Sequence, residues 1–444
     1  MWNRKILAVM LLCIMLPVLL KGEDDEIARV GMVLREGRFT NILLSRFSPV
    51  GDNIENARIA RKTQDVLRHD LLFTRRFDVT ETDVPVTGKK KELELLRDGK
   101  GVFSSLKKAD GSIAVIDVVL VVKVKVTDKY YQAFAKLYDL ASCETAMNKS
   151  FTSYARDYRE LAHMINDEIV LMFRGEPGIA HSKIVFSNDR SGHKEIYIID
   201  YDGYNLKRLT SHKSISIFPR WSPDGKKIIY TSYKRGNPDL YIMNADGSGK
   251  KLLSGRQGLN TPAEFSPDGE KIALVMSRGR LPNIFLLDRS GRMLRQLTHG
   301  RALDTSPAFS PNGQEIVFIS GRMGNPQMYV TDIYGTRPRR LRTVGYSDSP
   351  VYSPDAGSIV FSMREKGENG FNIYKYDLDK KYYWKITHSG GSNENPSFSP
   401  DGEYIVYTSQ RSGRRGLYCT YVGERKDRKL ADLKGRCFTP DWGP

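Results

Sequence analysis

Two rhythms of apolar residues divide the chain. From about residue 180 onward the apolar positions fall in runs of period two, four to six residues long, such as Ile228-Ile-Tyr-Thr-Ser, Leu240-Tyr-Ile-Met and Ile405-Val-Tyr-Thr-Ser. Before that point longer stretches carry helical spacing. Ile54, Ala57, Ala60, Val66 and Leu67 share one face of a helix predicted over Ile54–Leu72, and Leu161, Met164, Ile165, Ile169 and Met172 share one over Arg156–Phe173. Period two predicts strands and period 3.6 predicts helices.

Between these helices Asn41-Ile-Leu-Leu and Phe77-Asp-Val read as strands, Lys91–Lys108 as a helix, and Ile113–Val126 with Tyr131–Leu140 as a hairpin of long strands. Alternating strands and helices predict an α/β layer domain over residues 23–175. Gly175-Glu-Pro-Gly178 punctuates the boundary with the period-two half.

The period-two half repeats itself. Ser222-Pro-Asp-Gly, Ser266-Pro-Asp-Gly, Ser310-Pro-Asn-Gly, Ser353-Pro-Asp-Ala-Gly and Ser399-Pro-Asp-Gly recur at serine spacings of 44, 44, 43 and 46. Each follows an aromatic residue (Trp221, Phe265, Phe309, Tyr352, Phe398) and, slightly earlier, a proline (Pro219, Pro262, Pro307, Pro350, Pro396). Proline presets φ in a turn and glycine supplies a left-handed residue, so Pro-Asp-Gly is a tight corner between two strands. Four short strands in about 44 residues make one propeller blade. Helix pairs do not fit runs this short.

The ends of the region set the blade count. Lys183-Ile-Val-Phe-Ser, Glu195-Ile-Tyr-Ile-Ile and Leu206-Lys-Arg-Leu-Thr are three strands without the proline-bearing one, and Pro440-Asp-Trp442-Gly-Pro444 supplies it from the other end. The prediction is therefore a six-bladed β-propeller over residues 179–444, closed by the C-terminal strand. Closure removes the exposed edges of an open array.

The first 22 residues read as an export signal. Arg4 and Lys5 precede an uncharged apolar run, Ile6–Leu20, that is short for a membrane span. Gly22 is the candidate last leader residue, although Leu20 is large for its position. Cys13 inside the run leaves a lipoprotein or an uncleaved anchor as alternatives.

Composition then changes the picture. The chain has 444 residues with 40% hydrophobic and 27% charged, so wholesale disorder is excluded. A formal charge of +17 invites nucleic acid, but an exported protein meets little of it, so no nucleic-acid partner is expected. Anionic partners or plain solubility remain. Cys143, Cys419 and Cys437 follow the leader, an odd and low count that makes no disulfide framework.

A search for chemistry finds no catalytic constellation. No Gly-x-Ser-x-Gly elbow occurs, and Gly247-Ser-Gly-Lys250 sits between strands where a phosphate loop must open a helix. His212, His299 and His388 hold the same place in different blades and cannot converge on one ion, and no histidine has ligand spacing. Asp200-Tyr-Asp-Gly-Tyr-Asn205 begins like a calcium loop, but its twelfth position is Ser211. Neither catalysis, cofactor nor metal is expected.

The order of leader, small α/β domain and six blades, the aromatic-Ser-Pro-Asp-Gly repeat, the segment Asp200–Asn205 and the terminal Pro440-x-Trp442-x-Pro444 together resemble the TolB family of the Tol–Pal system. The basic balance, the wording of the N-terminal half and the insertion Glu365-Lys-Gly-Glu-Asn369 depart from the family pattern. The resemblance implies a periplasmic, non-enzymatic, monomeric interaction protein. It would bind the peptidoglycan-associated lipoprotein Pal at one propeller mouth and the inner-membrane protein TolA through an N-terminal arm, with other outer-membrane proteins as further candidates. That role supports outer-membrane invagination at cell division and envelope integrity.

Propeller geometry independently gathers six blade-to-blade loops at one mouth. Here they contain Ile217 and Phe218, Leu259 and Asn260, Asp304 and Thr305, Ser347 and Asp348, Asn393 and Glu394, and Phe438. The arm, residues 23–34, begins with the four acids Glu23-Asp-Asp-Glu26, and Glu26, Ile27, Arg29, Val30 and Val33 are the expected TolA-binding residues. Like charges at that density resist compaction. A permanent first strand at Val30–Leu34 is the competing reading of the arm. A carbohydrate- or cell-wall-binding propeller and a propeller hydrolase or lyase are the rival functions.

Overall fold

The computed structural model describes residues 39–100, 106, 115–277, 281–336, 338–388, 390–411 and 413–444. The leader and the arm, Glu26 to Val33 included, lie outside the described residues.

The α/β half contains β1 (Thr40–Ser45), β2 (Ser48–Pro49), α1 (Ile54–Phe73), β3 (Phe77–Thr82), α2 (Lys90–Arg97), β4 (Val118–Val126), β5 (Tyr131–Asp139), β6 (Glu144–Ser153) and α3 (Tyr158–Arg174). The sheet runs β3-β1-β4-β5-β6, with β2 also pairing β4. β1 is parallel to both neighbours and β4-β5-β6 is antiparallel. Because both faces of β1 are covered, Ile42, Leu43 and Leu44 are all fully buried. Ile42 and Leu44 join Ile59, Leu67, Ile165 and Ile169 of α1 and α3 on one face. Leu43 meets Leu93 and Leu96 of α2 on the other.

The helix ends follow ordinary capping chemistry. Asn53 and Asp157 precede α1 and α3 and accept from Glu55 N and Arg159 N, each at 2.8 Å. Gly175, at φ 73°, ends α3.

Two expectations change here. The helix expected over 91–108 stops at Arg97, because Gly99 turns left-handed at φ 63° and Lys100 N returns to Leu95 O at 2.8 Å. β6 was not foreseen, because its polar text Glu-Thr-Ala-Met-Asn-Lys-Ser-Phe-Thr-Ser buries only Met147 and Ser153. It is an edge strand that takes its place from pairing with β5.

The propeller is six four-stranded antiparallel sheets, and in one of them Cys437–Gly443 pairs with Lys183–Asn188 as the innermost strand. The other five innermost strands are Ser216–Trp221, Asn260–Phe265, Asp304–Phe309, Tyr346–Tyr352 and Ser392–Phe398. After each comes the Ser-Pro-Asp/Asn corner, where the serine hydroxyl donates to the aspartate, or to Asn312 in one blade, and accepts from the chain beyond, as Ser222 does with Asp224 (2.6 Å) and Lys227 N (2.8 Å). In the blade reading Ser-Pro-Asp-Ala-Gly the left-handed residue is Ala356, at φ 59°.

The α/β half sits on the corner end of the propeller. Arg76 reaches Glu403 at 2.6 Å and Arg174 reaches the same carboxylate at 3.1 Å, beside the last corner. Phe73 of α1 stacks on Tyr404 at 4.4 Å and meets Tyr201 edge-on at 4.9 Å. Beneath it Asp70 is fully buried, with His163 Nδ1 at 2.7 Å from one oxygen and the Tyr201 hydroxyl donating to the other. Arg159 pairs with Asp202 alongside. No helix among the described residues is long and apolar enough to cross a membrane.

Candidate functional site

The innermost strands define the channel, and their register sorts the predicted mouth residues. Each strand carries one extra residue relative to its neighbour, for example between Ile217 and Arg220 or between Asp348 and Val351. This bulge bends the strand at the mouth. Five of the six bulges hold a non-glycine residue at positive φ: Phe218, Ser306, Ser349, Asn395 and Thr439.

Matching the strands by their pairing gives three successive layers. The outermost position is Ser216, Asn260, Asp304, Ser347, Asn393 and Cys437, all at most 1% exposed. The next position is Ile217, Thr261, Thr305, Asp348, Glu394 and Phe438, of which all but Thr261 are half-buried. Beyond the bulge lie Arg220, Glu264, Ala308, Val351, Ser397 and Asp441.

So the predicted residues other than Leu259 belong to strand starts instead of loops, and four of them face into the blades. Asn260 donates to Arg256 O at 2.6 Å and accepts from Ser254 Oγ at 2.9 Å. Asp304 is held by Arg322 at 3.3 Å, and that guanidinium lies 4.6 Å over the Tyr329 ring. Ser347 lies 3.1 Å from Thr343 Oγ1, and Asn393 donates to Asn372 at 3.2 Å. These are blade-locking groups, since a buried polar atom costs stability unless it is bonded. Ile217, Phe218, Thr305, Asp348, Glu394 and Phe438 remain at the entrance. Leu259 precedes its strand, and Thr261 takes the ring position that Asn260 was expected to fill. The slip has a simple source: proline sits one place earlier in this blade, with Ala263-Glu264 between Pro262 and Phe265 where other blades have a single residue.

The inner layer was not foreseen, because its members look like ordinary residues between a proline and an aromatic. Its polar arc runs through consecutive blades. Arg220 Nε lies 3.0 Å from Glu264 and 3.9 Å from Asp441. Asp441 also accepts from Trp221 N at 2.8 Å and from Ser397 Oγ at 3.3 Å. Ala308 and Val351 complete the ring with apolar groups. The channel here narrows to a volume of about 30 Å³, about one water molecule.

Charge inside the channel opposes the charge of the chain. Glu394 is paired by Arg415 at 2.7 Å, and Asp348 accepts from Ser306 Oγ (3.1 Å) and Ser349 N (2.7 Å). Four carboxyl groups thus face two guanidiniums in a protein of charge +17. Burial pushes Asp348 and Asp441 above the usual carboxylate range. Burial also pushes Glu264 up to about 8, with Arg220 pulling it down and Asp441 adding to the rise.

A carboxyl group whose pKa is higher in the folded chain favours folding at low pH. The contribution is full below the unfolded value and is lost as pH rises through the folded one. The chain is therefore expected to lose stability between about pH 5 and pH 8, and Glu264→Gln should flatten that slope. At pH 8.5 the variant should be the more stable by about 1–2 kcal/mol, leaving Arg220 to serve Asp441 alone. Thermal melts at pH 5 and pH 8.5 check this, and parallel slopes for the two proteins would reject it.

Among the described residues no three His, Cys, Asp or Glu side chains stand close enough to share a metal ion. What the geometry offers is an entrance lined by apolar groups and charges of both signs, with Lys194 and Arg436 over the Phe438 ring, on the end of the propeller away from the α/β half.

The family description of the TolB beta propeller domain matches residues 172–444. The chain is 33% identical over 170 residues to a Tol-Pal system protein TolB of Geobacter metallireducens, covering 38% of this chain and 37% of that protein. It is 34% identical over 173 residues to the corresponding protein of Geobacter sulfurreducens, covering 39% and 38%. The matched stretches thus span well under half the length of these relatives. The crystal structure of TolB from Acinetobacter baumannii shares the fold at a TM-score of 0.74 and 24% identity, covering 92% of this chain and 97% of that one. With more than half of its length matched by the family description, the chain belongs to the TolB β-propeller family.

Proposed function

We propose that this protein is a periplasmic, non-enzymatic interaction protein of the Tol–Pal system. It binds a Pal-like lipoprotein at the channel entrance and a TolA-like inner-membrane protein through residues 23–34. In that position it couples outer membrane, cell wall and inner membrane, in support of outer-membrane invagination at division and envelope integrity. The entrance ring carries the reading. Ile217, Phe218, Thr305, Asp348, Glu394 and Phe438 mix apolar and charged groups at an end of the propeller that the α/β half leaves uncovered. A mixed ring of this kind suits a wet protein interface.

The test is calorimetric titration with the soluble domain of the source organism's Pal-like lipoprotein. The triple variant Ile217→Ala, Asp348→Asn, Glu394→Gln removes one apolar and two charged contacts without reversing any charge. Binding is expected to weaken at least tenfold, about 1.4 kcal/mol, with the circular dichroism spectrum unchanged. A folded variant that binds as tightly as the parent places the Pal site elsewhere.

A further inference from the structure

A second cavity lies at the seam between the two halves. It is an open cleft of about 720 Å³ between the end of α1 and the outer part of the blade that contains Arg414–Tyr421. That is the size of a small-molecule site, and such sites favour domain junctions. Its floor is apolar and aromatic: Phe73 and Tyr404 are nearly buried, with Tyr421 and Leu72 beside them. Its wall is basic, with Arg425, Lys426 and Arg428 within four residues.

The acids of the wall are already used. Asp427 is held by Arg411 at 2.6 Å and accepts from the Tyr407 hydroxyl at 2.7 Å. Glu424 is paired with Arg75. Arg428 differs. Its guanidinium lies 4.5 Å over the Phe73 ring, and its Nη2 is buried with no hydrogen-bond acceptor among the described residues. A buried donor without an acceptor is costly and marks where an acceptor belongs. The neighbouring His69 is lowered by burial and then by the Arg428 charge.

We propose that this cleft binds a small organic anion with an apolar or aromatic body, its acidic head on Arg428 and its body against Leu72 and Tyr421. Planar guanidinium suits a carboxylate or a phosphate, which it can meet with two parallel donors. The body replaces water on the aromatic floor. Because the ligand touches α1 on one side and the blade on the other, its occupancy fastens the α/β half to the propeller.

The full chain is titrated by calorimetry with phenyl phosphate, benzoate, inorganic phosphate and benzyl alcohol. Phenyl phosphate or benzoate should bind saturably at one site, at least tenfold more tightly than inorganic phosphate or benzyl alcohol. Whichever of the two binds more tightly identifies the head group as phosphate or carboxylate. Arg428→Gln should weaken that binding at least tenfold, Arg428→Lys should restore part of it, and the distant Arg190→Gln should change nothing. Equal binding of inorganic phosphate would reduce the cleft to a bare charged patch and overturn the proposal. So would unchanged affinity in a folded Arg428→Gln chain, or no saturable binding of either aromatic acid up to millimolar concentration, which would leave water as the acceptor for Arg428.

Discussion

A chain ending at Cys437 is expected to melt roughly 10 °C or more below the full chain, or to aggregate before it melts. The seven residues Phe438–Pro444 hold the ring shut. Trp442 is 6% exposed, donates from its indole nitrogen to Ser182 Oγ at 2.8 Å, and from its backbone to Ser397 Oγ at 3.0 Å. Its ring faces Tyr404 of the neighbouring blade at 6.3 Å. Loss of such a tryptophan costs about 3–5 kcal/mol by itself. Deletion also strips Asp441 from Trp221 N and from Arg220, so both adjoining blades lose partners. Gly443 allows the closure, because a Cβ there would stand 2.3 Å from the Trp221 ring. Lys183–Asn188 then becomes an unpaired edge, which invites association with another chain. Differential scanning calorimetry and light scattering read both effects, and a truncated chain that melts like its parent would reject the closure.

This closure was legible in the sequence because it rests on backbone chemistry that few residues can supply. Pro440 and Trp442 repeat the proline-to-aromatic step of the other innermost strands, and three strands at the start of the region lacked that partner. The five corners were legible for the same reason: proline, a short acceptor side chain and a left-handed residue do one job each. The entrance was only partly legible. Asn260, Asp304, Ser347 and Asn393 are polar residues before a proline, which is what loop text looks like. They are buried because each finds a partner, Arg322 of the same blade for Asp304 and groups of the preceding blade or its exit loop for the other three, and pairing of that kind leaves no mark on hydrophobic periodicity. The arc of Arg220, Glu264 and Asp441 was missed because its members are 44 and 177 residues apart and meet only after the ring closes.

Replacing Asp70 by alanine is expected to loosen the seam between the two halves more than any other single change there, at a cost of about 3–5 kcal/mol. Asp70 lies on the buried stripe of α1 with Thr63, Val66, Leu67 and Leu71. A charged residue at that spacing is the signal from which it could have been found, since a carboxyl group stays on an apolar stripe only where partners wait for it. The partners here are His163 of α3 and Tyr201 of the propeller, 93 and 131 residues along the chain. Burial raises the Asp70 carboxyl, with the His163 and Tyr201 hydrogen bonds acting against the rise. For His163 burial acts downward, and the contact with Asp70 outweighs it and raises the group. Alanine leaves the His163 ring and the Tyr201 hydroxyl buried without that acceptor, and each unpaired group adds its own desolvation cost. Asparagine keeps one acceptor oxygen and should recover part of the loss, which separates hydrogen bonding from packing. Because the network joins α1, α3 and a propeller strand end, the loss should appear as a split of one thermal transition into two, with the α/β half melting first. Calorimetry of the alanine and asparagine variants distinguishes the cases. A single unsplit transition within about 1 kcal/mol of the parent would mean that the aromatic contacts of Phe73 with Tyr201 and Tyr404 hold the halves together without the carboxyl group.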